Sequence, residues 1–177
     1  MRYYKGKFEQ YISINSMKKK ESTNEVLDDT DVAILGHIQQ DGRMSNSKLA
    51  EKVNLSETPC WRRWKRMEDT GYIDGYAAKL NRKKLGFHVA GFTLVTLGNH
   101  EVENTEPFEE FVAVTDWIPM CHCIAGGADY MVQVLAKDLE EYFERISSIR
   151  RVKGVSAIQS NISVKELKNS YALPLGD

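Results

Sequence analysis

The sequence predicts an α+β protein with a helical N-terminal domain and a C-terminal domain in which strands and helices alternate. The periodicity of apolar residues supports this division, because it changes near residue 87 from helical to mixed helix and strand. The charge changes there as well: residues 17–86 hold 14 Lys and Arg against 11 Asp and Glu, whereas residues 87–177 hold 7 against 13. A cationic first half and an acidic second half indicate two modules, of which only the first suits a polyanion.

The N-terminal domain begins with a predicted helix in LDDTDVAILGHIQQDG, residues 27–42. Its first turn is rich in aspartate, which the positive end of the helix dipole favours, and its apolar residues recur at helical spacing. Gly42 ends this helix. The segment SNSKLAEKVN predicts a short second helix with Ser45 as its N-cap. That helix closes at Asn54, because asparagine tolerates the left-handed conformation.

A third predicted helix lies in TPCWRRWKRMEDTG, residues 58–71. Either Ser56 or Thr58 caps it, Pro59 occupies its first turn, and Gly71 ends it. Two helices joined by a short turn are typical of a helix-turn-helix motif, whose second helix enters the major groove of DNA. The third helix is therefore the candidate recognition helix.

Helical spacing divides the third helix into a buried face and an outward face. The predicted buried residues are Cys60, Trp64 and Met67. The predicted outward cations are Arg62, Lys65 and Arg66, with Trp61 and Arg63 on the borders. A basic face on an isolated helix is more often an ordinary solvated surface, but its position in a helix-turn-helix favours contact with DNA.

The expected DNA-binding residues lie at the start and on the outer face of this helix. They are Ser56, Thr58, Trp61, Arg62, Arg63, Lys65 and Arg66. We expect the cations to meet mainly phosphates and the residues near the helix start to lie near base edges. Two roles stay open for Arg63, which either contacts DNA or braces the fold through a carboxylate such as Asp41 or Glu68.

The second half of the chain contains four strand-like and two helical segments. The strand-like segments are residues 87–98, 118–125, 128–136 and 155–164, and the helical segments are residues 105–114 and 138–149. Gly126 and Gly127 indicate a hairpin between the second and third strands. Asp138 and Glu141 have capping-box spacing at the start of the second helix. The order β-α-β-β-α-β predicts a ferredoxin-like sheet with helices on one face.

Metal binding and catalysis find little support in the residue pattern. Cys121, His122 and Cys123 lie in a predicted strand, where the two thiols point to one face and the imidazole to the other. They cannot share one tetrahedral ion without further ligands. The four histidines are scattered, without the spacing to nucleophiles or carboxylates that catalysis requires. We therefore expect no metal site, no catalytic residue and no enzymatic activity.

Residues 27–175 resemble the Lrp/AsnC (feast/famine) transcription regulators of bacteria and archaea. The first half carries the resemblance at Leu27, Asp31, Ile34-Leu35, Asp41-Gly42-Arg43, Leu49-Ala50, Leu55-Ser56, Arg63, Glu68, Gly71, Ile73, Gly75-Tyr76 and Leu85-Gly86. In the second half the AGGADY segment and the LPL tail match. The resemblance implies a helix-turn-helix domain, a hinge strand and a ligand-sensing domain of the type called RAM, which is an αβ-sandwich.

The resemblance also implies partners for this chain. Family members pair as homodimers through their RAM sheets and frequently assemble to octamers. They bind pseudo-palindromic double-stranded DNA operators, and they respond to small effectors, usually amino acids, at RAM domain interfaces. No cofactor beyond such an effector is implied. Two-fold pairing is also reasonable physically, because one three-helix domain offers little contact area with DNA.

The effector pocket that the resemblance implies is assigned residue by residue. It comprises the turn Gly126, Gly127, Ala128 and Asp129, together with Ser147 on the second RAM helix and Ser160 on the last strand. Ala128 occupies a position where an aromatic residue is common. Ile158 and Ser160 replace a pair of threonines. These departures leave open a changed ligand or none, although an α-amino acid is the preferred effector.

The expected domain bounds are an N-terminal extension over residues 1–24, a helix-turn-helix domain over 25–72, a hinge over 73–86 and a RAM domain over 87–177. The extension is interpreted as disordered or as lying upstream of the true start at Met17. The sequence contains no membrane-length apolar run, secretory signal or disulfide framework, so we expect a soluble protein of the cytoplasm. The alternative function is a stand-alone amino-acid-binding regulatory subunit of a metabolic enzyme.

Overall fold

The computed structural model describes residues 26–98 and 102–175, and for residues 102–104 it describes the backbone only. These residues form two compact units. The first contains residues 26–79 together with residues 168–175, and the second contains residues 80–98 and 102–167. The expected second domain extended to residue 177, whereas the tail from residue 168 groups with the helical unit. The N-terminal extension expected over residues 1–24 lies outside the described residues.

Three helices build the first unit: α1 (Asp29–Gln40), α2 (Asn46–Lys52) and α3 (Glu57–Asp69). Asp28 caps α1 in a complete capping box, in which its side chain accepts from the Asp31 backbone and Asp31 accepts from the Asp28 backbone. Ser45 caps α2 as expected. Asn54 has φ of 53° and Gly71 has φ of 79°, so both turns take the left-handed conformation.

One apolar cluster holds these helices together. Its buried members are Ile34, Leu35, Ile38, Leu49, Ala50, Cys60 and Met67. Cys60 and Met67 confirm the predicted inner face of α3, and Trp64 packs against the cluster half-buried. The predicted helix-turn-helix motif is therefore confirmed, with α2 and α3 as its two helices.

The C-terminal tail completes this unit. The side-chain amide of Gln39 accepts from the Leu173 backbone N at 2.9 Å and donates to the Leu173 carbonyl at 3.1 Å. Leu175 packs against the apolar cluster of the helices. Lys79 donates to the Asn169 carbonyl at 2.7 Å, which joins the hinge to the tail. The tail thus belongs to the helical unit by both hydrogen bonding and burial.

The second unit has the predicted β-α-β-β-α-β order. Its elements are β1 (Val89–Leu97), α4 (Val102–Ala113), β2 (Met120–Cys123), β3 (Tyr130–Ala136), α5 (Leu139–Arg150) and β4 (Val155–Ile162). The sheet order is β2-β3-β1-β4, with every pair of neighbours antiparallel. The α+β class and the ferredoxin-like architecture are confirmed.

Alternation along the strands gives the sheet a helix-covered face and an opposite face. Thr93, Val95 and Val132 are fully buried on the covered face, where Phe108 of α4 and Tyr142 of α5 contribute to the same core. At Gly91 an added Cβ atom would lie 2.1 Å from the hydroxyl of Tyr142. The missing side chain at this position therefore lets α5 approach the central strand closely.

Candidate nucleic-acid and effector sites

Helix α3 presents its N-terminal half to solvent. Ser56 is the N-cap, but its side chain makes no capping hydrogen bond, and Thr58 is exposed as well. Trp61 is 55% exposed, although it is a large aromatic residue. Arg62 is also exposed, and its guanidinium has no ion-pair partner among the described residues. This part of the helix surface offers hydroxyl, indole and guanidinium groups to a partner.

Arg63 and Arg66 instead turn toward helix α1. Arg63 Nη1 lies 2.6 Å from Asp28 Oδ2 and 2.9 Å from Asp31 Oδ1, and Arg66 Nη2 lies 2.5 Å from Asp31 Oδ2. The Asp31 side chain is 2% exposed, so these two guanidiniums replace the hydrogen bonds that water would otherwise make to its carboxylate. Arg63 thus braces the fold, which is one of the two roles expected for it. Its partners are Asp28 and Asp31, whereas the sequence suggested a carboxylate such as Asp41 or Glu68. Arg66 differs from the expectation of a solvent-facing cation, because it is tied to the same buried carboxylate.

Lys65 faces solvent between two acids of its own helix. Its Nζ lies 3.1 Å from Asp69 Oδ1 and 3.2 Å from Glu68 Oε2. Hydrogen bonds to Asp69 and then to Glu68 raise the pKa of Lys65. Exposed pairs of this kind are weak, so a phosphate can compete for the ammonium group.

A cleft lies beside α3 on its arginine side. It has a volume of about 410 Å³ and is lined by Pro59, Arg62, Arg63 and Arg66. Only Arg63 and Arg66 contact carboxylates there, those of Asp28 and Asp31, so three guanidiniums against two carboxylates leave the local balance cationic. Such a surface suits an oxyanion, since each guanidinium has five N–H donors.

One tyrosine of the hinge, Tyr76, is hydrogen-bonded to helix α3. The indole Nε1 of Trp64 donates to the Tyr76 hydroxyl at 2.6 Å, and that hydroxyl donates to Glu68 Oε1 at 2.9 Å. The aromatic ring of Tyr76 also lies against the turn after α1, where a Cβ added to Gly42 would be 3.1 Å from it. In the sequence, Tyr76 is only one of the residues that carry the family resemblance, and the pattern predicts no contact for it.

The expected effector residues fall on three elements of the second unit. Gly126 and Gly127 are exposed in the β2–β3 turn, and an added Cβ at either would meet nothing within 4 Å. Ala128 is buried, and the Asp129 carboxylate accepts from the Leu97 backbone N at 2.7 Å. The turn is therefore anchored to the end of β1 while its glycines stay open.

The two expected serines have different surroundings. Ser147 is exposed on α5, and its hydroxyl donates to the Phe143 carbonyl at 2.9 Å. It lines a shallow depression of about 660 Å³ with Glu140, Phe143, Glu144, Ser148 and Arg151. The Ser160 hydroxyl lies 3.2 Å from that of buried Thr93, whose own hydroxyl is 3.4 Å from the Tyr142 hydroxyl. None of the other expected effector residues is among the described residues that line the Ser147 depression.

The three cysteines are free. Cys121 and Cys123 pair with Val132 and Tyr130, whereas His122 pairs with Met131, so alternate residues face opposite sides of the sheet. Burial, followed by the charge of Glu109, raises the pKa of Cys121 to about 11. In the described parts of the chain, no cluster of three or more His, Cys, Asp or Glu residues could hold a metal ion. Within the same parts, no helix has the length and hydrophobicity that a membrane span needs.

A helix-turn-helix unit with a cationic third helix, joined to a ferredoxin-like unit, defines a two-domain DNA-binding protein. Comparison with known families gives the same division. Residues 27–74 match the winged helix-turn-helix DNA-binding family, and residues 90–173 match the Lrp/AsnC ligand binding domain. The chain belongs to the Lrp/AsnC family of transcriptional regulators.

Individual relatives cover most of the chain. A proline dehydrogenase transcriptional activator of Rhizobium radiobacter is 40% identical over 144 residues, which are 79% of this chain and 92% of the relative. The leucine-responsive regulatory protein of Escherichia coli K12 is 34% identical over 148 residues, 83% of this chain and 90% of that protein. The crystal structure of a transcriptional regulator from Neisseria meningitidis in complex with L-methionine superposes with a TM-score of 0.82 at 32% identity. That match covers 85% of this chain and 97% of the other.

Proposed function

We propose that this transcriptional regulator binds a double-stranded DNA operator as a homodimer and that an α-amino acid, bound at RAM domain interfaces, changes its affinity for DNA. The observation that carries the DNA-binding part is the exposed first half of α3, where Arg62 has no ion-pair partner among the described residues. An exposed guanidinium on the second helix of a helix-turn-helix suits the polyanionic surface of the major groove. On this proposal the protein performs no chemical reaction and acts in the cytoplasm, where its DNA target is found.

The residues of α3 divide into two proposed groups. Ser56, Thr58, Trp61 and Arg62 contact base edges or the adjacent backbone, because they lie at the exposed start of the helix. Lys65 meets a phosphate after release from its acidic neighbours. Arg63 and Arg66 act mainly by holding α3 against α1, and a backbone phosphate that enters the cleft beside them contacts Arg62.

The amino-acid effector is proposed from the relatives and from the polar groups of the second unit. One relative is named as leucine-responsive, and a solved relative is a complex with L-methionine. The proposed pocket combines the turn of Gly126, Gly127, Ala128 and Asp129 with Ser147 and Ser160. The open glycines allow a carboxylate or ammonium group to approach the backbone. Because these groups lie on separate elements, we propose that a second subunit completes the site.

The face of the sheet opposite the helices is the proposed dimer surface. Phe92, Leu94 and Met131 alternate with the buried residues of β1 and β3 and so point away from the helix-covered core. Phe92 is 38% exposed. Pairing of two such faces would remove apolar surface from water and would bring together two recognition helices. Further assembly of dimers up to octamers is part of the same proposal.

The DNA-binding part is tested by measuring the affinity for the upstream region of the chain's own gene, with a mixed-sequence duplex as competitor, over a series of KCl concentrations. Arg62→Ala and Lys65→Ala should each weaken binding, and each should reduce the salt slope by about one unit if its cation neutralises one phosphate. Lys153→Ala, an exposed lysine of the second unit, is the matched control for loss of one charge. Binding that is unchanged in both α3 variants would refute the assignment.

The effector part requires a separate measurement. A thermal-shift screen of the twenty amino acids detects a ligand that binds the folded state, because such a ligand raises its apparent stability. The active amino acid should lose its effect in a Ser160→Ala or Gly127→Val variant while DNA binding without effector persists. An amino acid that still raises the melting temperature of both variants binds elsewhere.

The alternative, an amino-acid-binding regulatory subunit of an enzyme, uses the second unit alone. It predicts that an amino acid raises the melting temperature but that the protein does not bind DNA specifically. The exposed cationic start of α3 favours the regulator.

A further inference from the structure

A hydrogen-bonded chain joins the hinge to the recognition helix. It runs from Trp64 Nε1 to the Tyr76 hydroxyl at 2.6 Å and from that hydroxyl to Glu68 Oε1 at 2.9 Å. The other oxygen of the same carboxylate, Oε2, accepts from Lys65 Nζ at 3.2 Å. One glutamate therefore connects a hinge tyrosine to the cation that the proposed function assigns to a DNA phosphate.

The Tyr76 hydroxyl and the Lys65 ammonium group bind the two oxygens of the same Glu68 carboxylate. An exposed ion pair gains little because two flexible side chains must be ordered in one geometry. Here Tyr76 already orders Glu68, so part of that entropic cost is removed before Lys65 binds. The indole donor of Trp64 fixes the orientation of the tyrosine hydroxyl in turn, since the hydroxyl oxygen accepts this bond and its proton is directed at Glu68.

The protonation state of Tyr76 agrees with such an arrangement. Burial raises the pKa of Tyr76, the hydrogen bond from Trp64 opposes that effect, and the bond to Glu68 adds to it, so the phenol stays a proton donor at neutral pH. Asp69 also holds the Lys65 ammonium, at 3.1 Å. Glu68 differs from Asp69 because its other oxygen is bonded to the hinge.

We propose that Tyr76 is a positioning residue that, through Glu68, restrains Lys65 and thereby reduces its contact with a DNA phosphate. Departure of the hinge from α3 breaks the Tyr76–Glu68 bond, leaves Glu68 mobile and frees Lys65. Tyr76 lies in the segment that leads along the chain from the helix-turn-helix to the ligand-binding domain. This relay, from Tyr76 through Glu68 to Lys65, therefore gives the hinge a means of changing DNA affinity. This inference rests on the proposed DNA-binding function.

The test measures the dissociation constant for a mixed-sequence DNA duplex against KCl concentration in the full-length chain. A mixed sequence suffices because phosphate contacts do not depend on base sequence. The variants are Tyr76→Phe, Lys65→Ala and the double variant, and Tyr171→Phe is the control for loss of an exposed tyrosine hydroxyl. Phenylalanine keeps the ring that packs over Gly42, and thermal unfolding checks that the fold is retained.

Tyr76→Phe should tighten binding roughly two- to threefold at low salt, the size of effect expected from an exposed ion pair, and should steepen the salt slope. The gain should vanish in the Lys65→Ala background, whereas Tyr171→Phe should match the unsubstituted protein. Weaker or unchanged binding by Tyr76→Phe, or a gain that persists without Lys65, would overturn the relay. If the unsubstituted protein shows no salt-dependent DNA binding, the proposed function itself fails.

Discussion

The guanidinium of Arg66 on the recognition helix lies 2.5 Å from the buried carboxylate of Asp31 in the first turn of α1. The same carboxylate accepts from Arg63 and from the backbone of Asp28, so one aspartate both completes the capping box of α1 and fixes the position of α3. Two of the four cations on α3 thus stabilise the domain, and the other two, Arg62 and Lys65, are the ones proposed to contact DNA.

Replacement of Asp31 by asparagine should destabilise the helix-turn-helix unit by about 2 kcal/mol. The change removes charge-assisted hydrogen bonds to Arg63 and Arg66, and partial solvent exposure of both guanidiniums limits the loss. Hydrogen exchange of the α1 and α3 amides, followed by mass spectrometry, localises the effect to this unit. Asp29→Asn, an exposed change in the same turn, should leave the exchange rates nearly unchanged. Equal effects of the two substitutions would contradict this role of Asp31.

The first unit should lose stability in acid through Asp28. The backbone hydrogen bond from Asp31 and then the Arg63 side chain hold the pKa of Asp28 below its usual value of 3.8. A carboxyl whose folded pKa is depressed stabilises the fold above its unfolded pKa, and the contribution is lost as pH falls through the folded value. Between about pH 5 and pH 2, Asp28→Asn should therefore show a weaker fall in melting temperature than the unsubstituted chain. The same fall in both would exclude this residue as a source of acid sensitivity.

Gly91→Ala should destabilise the second unit by about 1–3 kcal/mol, the usual range for overpacking. An alanine Cβ would lie 2.1 Å from the Tyr142 hydroxyl, so either α5 or the β1 backbone must move. Thermal unfolding and hydrogen exchange of the sheet amides measure the effect. Gly127→Ala is the matched control, because its Cβ would meet nothing within 4 Å. If Gly91→Ala left the stability unchanged, α5 would be able to move away at no cost in free energy.

The three thiols should differ in reactivity toward an alkylating reagent. Cys123 is exposed, whereas burial raises the pKa of Cys60 and, together with the charge of Glu109, raises that of Cys121 to about 11. Since the thiolate is the nucleophile, Cys123 should be modified first near pH 8, and the other two should react only on unfolding or at higher pH. Peptide mapping after timed labelling checks the order, and early modification of Cys121 would contradict it.

Local sequence signals were sufficient for the helices and strands. Ser45, Asn54 and Gly71 each have the backbone role that their chemistry predicts, because a cap or a left-handed turn is decided within a few residues. Helical spacing correctly identified Cys60 and Met67 as buried. Strand alternation likewise assigned the two cysteines and the histidine of β2 to opposite faces.

The partners of the charged side chains could not be predicted in this way. Helical spacing put Arg66 on the outer face, but its guanidinium reaches a carboxylate 35 residues away in sequence. A long side chain at the edge of a face can turn toward whatever packs beside it, and periodicity contains no information about that neighbour. The spacing of Asp28 and Asp31, typical of a capping box, was a local signal that could have identified both acids as ordered.

By itself, the sequence determined the helix-turn-helix, the β-α-β-β-α-β order, the family and the surface of α3 from which DNA contacts are proposed. These depend on periodicity, turn residues and spaced matches, which are all properties of short segments. The tertiary structure alone decided that Asp31 binds two of the α3 arginines, that Tyr76 is bonded to Glu68, and that Gln39 holds Leu173 from 134 residues away. Such contacts arise only when separate segments are packed together, because their geometry is set by the shared core rather than by either segment.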